Sequence, residues 1–194
     1  MFKLRANTPN EWATHVANNM DAFLVDHAAA ERKASANAMG MVVRYPDRLE
    51  LVDKMIAIAR EELEHFHDVF RLMVKRGVAL AADEADPYVN ALLKACRPTG
   101  NERCIDRLLL GSIIEYRGCE RFAMLSRALA EHPTESGLSD YYRELAASES
   151  QHRMDFYECA LLYFPNDEVN ARLDELLDLE ATIVNSLPIR AALH

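Results

Sequence analysis

Apolar residues recur three and four positions apart along nearly the whole of this chain, and no stretch alternates with the period of a strand. The helical pattern begins at Thr8-Pro9-Asn10-Glu11, which reads as an N-cap, a first-turn proline and a capping-box glutamate. It runs towards Tyr45, with an interruption near residues 18–21, and stops at Pro46. A second helix follows to Arg76, where Gly77 supplies a left-handed stop. Residues 78–86 read as a connection, and Asp86-Pro87 opens a short helix that ends near Arg97, before Pro98-Thr99-Gly100. A third long helix spans about 102–130 and a fourth about 139–163. A last amphipathic helix, capped by Asn166 or Asp167, reaches about Ser186. The expected architecture is all-α: four long helices at about 20–45, 46–76, 102–130 and 139–163, with additional short helices, in a single domain over residues 1–194. The long helices pair as two hairpins with a longer connection between them, as in a four-helix bundle with one crossover.

Two short words stand out from this background. Glu62-Leu63-Glu64-His65 and Glu149-Ser150-Gln151-His152 each place a glutamate and a histidine three apart, on one helix face and one turn above the other. On the preceding helix of each hairpin stands a lone glutamate, Glu31 in the first and Glu115 in the second. Four carboxylates and two imidazoles projecting from four helices are the ligand set of a di-iron or di-manganese carboxylate site.

Helical register chooses among neighbouring candidates. Glu62 and His65 share a stripe with Met55, Ile58, Ala59, Val69 and Met73, whereas Glu64 and His67 share theirs with Arg60, Asp68 and Arg71. Glu149 and His152 lie among Tyr142, Leu145, Phe156 and Cys159; Glu115 lies among Leu108, Ser112, Cys119 and Phe122; Glu31 lies among Leu24, Ala28 and Ala38. Glu120, roughly 140° around the helix from Glu115, falls beside Arg117 and Arg127 and is left out of the set. Isolated glutamates on apolar faces are costly unless paired or metal-bound, and four carboxylates with two ferrous ions sum to zero charge. Oxygen-rich ligation with two imidazoles suits iron or manganese better than structural zinc. His27, one turn before Glu31, is either a partner of that carboxylate or a satisfied core histidine. Cys119, one turn after Glu115, either lines the metal cavity or simply packs. Tyr116 projects away from the ligand face.

Composition narrows the setting. Half of the 194 residues are hydrophobic, yet no apolar run approaches bilayer length. The opening Met1-Phe2-Lys3-Leu4-Arg5-Ala6 lacks the apolar stretch of a secretion signal, so a cytoplasmic protein without a membrane partner is expected. Cys96, Cys104, Cys119 and Cys159 show no Cys-x-x-Cys spacing and read as reduced thiols. A net charge of −9 gives the chain as a whole no attraction for nucleic acid. Such a partner would need a local basic patch, for which Lys94, Arg97, Arg103 and Arg107, or Lys3 and Arg5, are the candidates; a solvated helix face explains these charges equally well.

The segments His27-Ala-Ala-Ala-Glu31-Arg-Lys-Ala34, Glu61-Glu-Leu-Glu-His65-Phe66, Ile114-Glu-Tyr-Arg-Gly-Cys-Glu-Arg-Phe122 and Ser148-Glu-Ser-Gln-His152 span most of the chain. In order and spacing they resemble the bacterial tRNA 2-methylthio-N6-isopentenyladenosine hydroxylases. The Glu-x-x-His pair is common to ferritin-like di-iron proteins; the Cys-Glu-Arg-Phe stretch carries the more specific likeness. The resemblance implies a ferritin-like fold and two non-haem iron ions (Fe2+/Fe3+) held by Glu31, Glu62, His65, Glu115, Glu149 and His152. It implies O2 and an external two-electron donor, a reductase or a ferredoxin, as co-reactants, and hydroxylation of the isopentenyl side chain of the modified adenosine beside the tRNA anticodon. The tRNA contacts are then expected at Lys94, Arg97, Arg103 and Arg107. From the residues alone, a rubrerythrin-like ferroxidase or peroxidase, a ferritin-like iron-binding protein and a manganese catalase stay open, although no Cys-rich rubredoxin-like segment is present.

Overall fold

Prolines and glycines punctuate the chain where its helices stop. The computed structural model, which describes residues 2–194, contains α1 (Asn10–Ala17), α2 (Met20–Arg44), α3 (Leu49–Arg76), α4 (Pro87–Lys94), α5 (Gly100–Ala130), a 3-10 turn (Ser136–Leu138), α6 (Ser139–Tyr163) and α7 (Asn166–Ser186). No strand occurs among the described residues, and none of the helices is long and apolar enough to cross a membrane. The chain divides into two compact units. One is residues 18–84 with Arg190–Leu193; the other holds the segment up to Ala17, Ala85–Ile189 and His194.

The first unit is the α2–α3 hairpin. Phe23, Leu24, Ala28, Ala38 and Met41 of α2 are buried, as are Leu51, Met55, Ile58, Val69 and Met73 of α3. Ser35 Oγ donates to the Ala59 carbonyl at 2.7 Å, fixing the two helices in register, and Arg76 Nε meets Asp21 at 2.6 Å at the other end. Gly77 adopts φ 69°, a left-handed conformation costly for residues with a β carbon, and its N–H reaches the Met73 and Val74 carbonyls. The connection after it is laid along α2: Arg32 pairs with Asp83, and Lys33 Nζ donates to the Glu84 carbonyl at 2.7 Å.

The second unit is built on the α5–α6 hairpin, with α1, α4 and α7 packed on it. Asp86 caps α4 as the sequence predicts, accepting the Val89 N–H at 3.0 Å ahead of Pro87. Its carboxyl is partly buried, which alone would raise its pKa, yet His194 and the cap N–H groups hold it down at about 2. Two expected caps are not seen. Thr8 turns its hydroxyl to Glu120 of α5, at 2.6 Å, and α1 opens at Asn10. Asn166 is the first residue of α7, and its side chain accepts from Asn170 at 2.5 Å. Likewise α5 starts at Gly100, two residues before the expected Glu102, and Gly100 itself takes φ 69°, a conformation glycine adopts at little cost.

At Gly111 of α5 the ring of Phe156 of α6 packs directly against the backbone. A β carbon there would lie 2.9–3.1 Å from three ring atoms of Phe156, itself a buried side chain with little room to move. Gly111→Ala is therefore expected to destabilise the protein by ~1–3 kcal/mol through overpacking, less the ~1 kcal/mol that alanine returns as helix propensity. Urea denaturation checks this; a variant more stable than the parent would mean that the helices separate freely.

Candidate metal centre

Each unit gathers one acidic–imidazole triad on its own hairpin. In the first, Glu31 comes from the middle of α2, and Glu62 and His65 come from successive turns of α3. Glu31 and Glu62 are buried, and the His65 side chain is 16% exposed. One ligand atom from each lies within 4.8 Å of the other two. His65 Nδ1 is 3.6 Å from Glu62 Oε2 and 3.9 Å from Glu31 Oε2, too long for hydrogen bonds. Donor atoms about 2.1 Å from a shared ion sit roughly 3–3.5 Å apart, so the triad is spaced to take a cation with little adjustment. His27 Nε2 contacts Glu31 Oε1 at 2.6 Å, and its ring is fully buried and stacked on Phe23 at 5.5 Å. His27 is thus packed in the core and at the same time in contact with the Glu31 carboxylate.

In the second unit, Glu115 comes from α5, and Glu149 and His152 from α6; all three are buried, and their ligand atoms again lie within 4.8 Å of one another. Gly118 faces Glu149: a β carbon there would stand 3.6 Å from Glu149 Oε2, in ordinary contact, so nothing much longer than alanine fits beside that carboxylate. Cys119 is half-buried, and burial pushes its thiol pKa up despite Arg153 nearby, so the thiol is neutral at neutral pH. Tyr116 points elsewhere, as expected, with the Arg153 guanidinium 4.1 Å from its ring centroid and Phe2 edge-on at 5.6 Å. Glu64 and His67 are exposed on the outer side of α3.

Glu120 is not the plain surface glutamate that its neighbours Arg117 and Arg127 suggested. It joins a buried ionic cluster that sequence reasoning missed. Arg117, fully buried, donates from Nε and Nη2 to Glu180 Oε1 at 2.9 and 2.7 Å, and from Nη2 to the Ala6 carbonyl at 2.9 Å. It also pairs with Glu120 and reaches Thr8 Oγ1 at 3.2 Å. Glu180 of α7 is fully buried too, and accepts from Tyr88 of α4 at 3.0 Å. Arg121 lies 5.2 Å over the Trp12 ring; burial, then the Arg117 charge, lower its pKa to about 10. Two arginines and two glutamates leave the cluster neutral, which is what makes its burial tolerable. The only trace in the sequence is Glu180, a glutamate at a core position of α7.

The four basic candidates lie where α4 gives way to α5. Lys94 is exposed, and Arg103 and Arg107 are half-exposed. Arg103 Nη1 donates to the Pro98 carbonyl at 3.3 Å. Arg97 is differently employed: its N–H and Nε donate to Asp106 Oδ2 at 2.7 and 3.0 Å, and its Nη2 to Oδ1 at 2.8 Å. Arg172 of α7 binds the same carboxylate through Nε at 2.8 Å. Burial would raise the Asp106 pKa, but hydrogen bonds from Arg172 and Arg97 overcome this and lower it. Arg5 is likewise spent, on Asp174 and Asp178 at 2.7 and 2.5 Å.

Comparison with known proteins gives a consistent picture. A family model described as tRNA-(MS[2]IO[6]A)-hydroxylase (MiaE) matches residues 2–194. The chain is 35% identical over 170 residues to a tRNA 2-(methylsulfanyl)-N(6)-isopentenyladenosine(37) hydroxylase of Pseudomonas putida, covering 88% of this chain and 80% of that one. It is 32% identical over 161 residues to the protein of the same name from Salmonella typhimurium, covering 83% of this chain and 57% of the relative. Among solved structures, "Protein 43 with aldehyde deformylating oxygenase activity from Synechococcus" matches with a TM-score of 0.90 and 30% identity, over 98% of this chain and 93% of that one. The all-α, ferritin-like class expected from the sequence stands.

Proposed function

The chain belongs to the tRNA-(MS[2]IO[6]A)-hydroxylase family, and on that premise we propose that it hydroxylates the isopentenyl side chain of 2-methylthio-N6-isopentenyladenosine in tRNA. The observation that carries the reading is the pair of acidic–imidazole triads, buried but for the partly exposed His65, one on each hairpin of a family member. We assign Glu31, Glu62, His65, Glu115, Glu149 and His152 as the ligands of two non-haem irons. When bound, the irons supply the O2 chemistry needed to oxidise an unactivated C–H bond, with two electrons from an external reductase or ferredoxin. The protein's own contribution is geometric and electrostatic. His27 fixes the Glu31 carboxylate through its 2.6 Å contact, and buried ligands keep water away from the reacting groups. The four carboxylates offset the charge of two divalent ions. One ferritin-like domain acting on tRNA in the cytoplasm is the setting this reading assumes.

Nucleoside analysis of tRNA from cells with and without the protein tests the assignment. The hydroxylated nucleoside should disappear on deletion, and its isopentenyl precursor should accumulate. An unchanged nucleoside profile, with iron-loaded protein oxidising ferrous ion or reducing peroxide to water instead, would refute it.

We place tRNA docking at the start of α5, where Lys94, Arg103 and Arg107 stand near the N-terminus of a 31-residue helix, whose exposed N–H groups favour phosphate. Arg97 belongs to this patch by position, but its guanidinium holds Asp106, so its charge reversal would damage the fold. Lys94→Glu with Arg103→Glu is expected to weaken tRNA binding at least ~10-fold and to flatten the salt dependence by about one unit of slope per lost contact, with iron content unchanged. Filter binding across a salt series measures both; affinity indifferent to salt and to these substitutions would move docking to another surface.

A further inference from the structure

The outer flank of α3 carries a hydrophobic pattern that neither the core nor the metal ligands use. Leu49, Ile56, Leu63 and Phe70 recur every seven residues, and Val52, Ala59, Phe66 and Met73 follow each by three, so four heptads of a/d positions run the length of the helix. The second set turns inward and is partly or fully buried. The first set remains in solvent, together with Val74: Leu49 is 72% exposed, Ile56 40%, Leu63 54%, Phe70 37% and Val74 59%. At 100° per residue these five side chains fall within a sector of about 60° and extend over roughly 37 Å of helix. Their exposed area, on the order of 450 Å2, is comparable to the largest apolar patch on an ordinary monomer, a kind of patch that is often functional.

The pattern is self-complementary when the helix runs antiparallel to itself. A two-fold axis crossing α3 near residues 62–63 sets Leu49 against Val74 of the second copy, Ile56 against Phe70, and Leu63 against Leu63, each to within a helical turn. The same axis pairs the charges of the adjoining outer strip, Asp53 with Arg71 and Arg60 with Glu64. All four are exposed. Within the chain, Asp53, Arg60 and Glu64 enter no ion pair among the described residues, and Arg71 meets only Asp68, one turn away on its own helix. A parallel pairing would instead turn this strip towards the opposite flank of the partner helix, so these charges would not meet one another. Charges in register with the apolar seam set partner and orientation in helical interfaces. We propose that the protein forms a two-fold dimer through antiparallel pairing of the outer flank of α3, with a second copy of this chain as the occupant. With the flanking polar surface, two such patches together bury area near the lower end of stable interfaces, ~1,200 Å2.

Sedimentation velocity of the full chain at concentrations up to about 100 µM tests the proposal. The parent protein should sediment as a dimer, and Leu63→Glu, which sets two carboxylates face to face on the axis, should sediment as a monomer with unchanged helical circular dichroism. Asp53→Arg and Arg71→Asp should each weaken association roughly tenfold or more, and the two together in one chain should restore it, because the swapped charges meet again across the axis. A monomeric parent at the highest concentration overturns the proposal. A Leu63→Glu dimer, or a double swap no better than either single variant, overturns it equally.

Discussion

Glu62→Ala and Glu115→Ala are each expected to abolish iron loading. Losing only an outer partner of a metal ligand costs ~10–100-fold in affinity, and losing a carboxylate ligand itself costs more. It also leaves the remaining donors with an unbalanced count of charge around the ions. Elemental analysis after anaerobic reconstitution and dialysis gives the stoichiometry. Glu64→Ala is the control: Glu64 sits between Leu63 and His65 in sequence but is exposed, and surface substitutions typically change stability by less than ~0.5 kcal/mol. His27→Ala should fall between the two, with iron bound more weakly, since every ligand stays but the hold on Glu31 and the packing on Phe23 are removed. Iron content at the parent level in Glu62→Ala would sink the ligand assignment on α3.

The second large effect is on stability. Glu180→Ala strands the Arg117 guanidinium, fully buried, without the carboxylate that takes two of its hydrogen bonds. Breaking a buried pair from one side costs ~3–5 kcal/mol, much of the net stability of a domain of this size. Replacing both partners at once, as Arg117→Met with Glu180→Leu, should recover a good part of that loss, because an apolar pair leaves no uncompensated charge. The recovery stays partial, since Tyr88, Ala6 and Glu120 lose a partner in the double variant. Chemical denaturation of the three variants measures the difference; a Glu180→Ala protein within about 1 kcal/mol of the parent would mean that water enters and solvates the arginine. The same cluster disqualifies Glu120→Ala as a harmless control for metal loading, although its place on the helix suggested one.

The sequence was most readable where periodicity and punctuation act alone. Gly77, Pro46 and Asp86-Pro87 end or begin helices through backbone constraints that do not depend on tertiary context, and the helices stop there. The burial of Glu31, Glu62, Glu115 and Glu149 was likewise legible, because a carboxylate on an apolar stripe is a local contradiction that register exposes. What escaped was decided by partners distant in sequence. Thr8 has the spacing of an N-cap, but Glu120, Arg117 and Arg121 lie within reach of its hydroxyl once α1 docks on α5. Arg97 looked like a free cation, but its guanidinium is held by Asp106, a carboxylate that also accepts from Arg172. Charged residues announce their cost to the reader of a sequence, but not the address of the group that offsets it.

Trp12 is the chain's one tryptophan. It is buried on α1 beneath the Arg121 guanidinium of α5, which makes it an intrinsic optical probe of a single event, the seating of the N-terminal segment on the α5–α6 unit. The α2–α3 hairpin holds no tryptophan, so its melting is followed in far-ultraviolet ellipticity instead. Comparing the two signals along one denaturation curve therefore reports whether the units that carry the two triads unfold together or in turn.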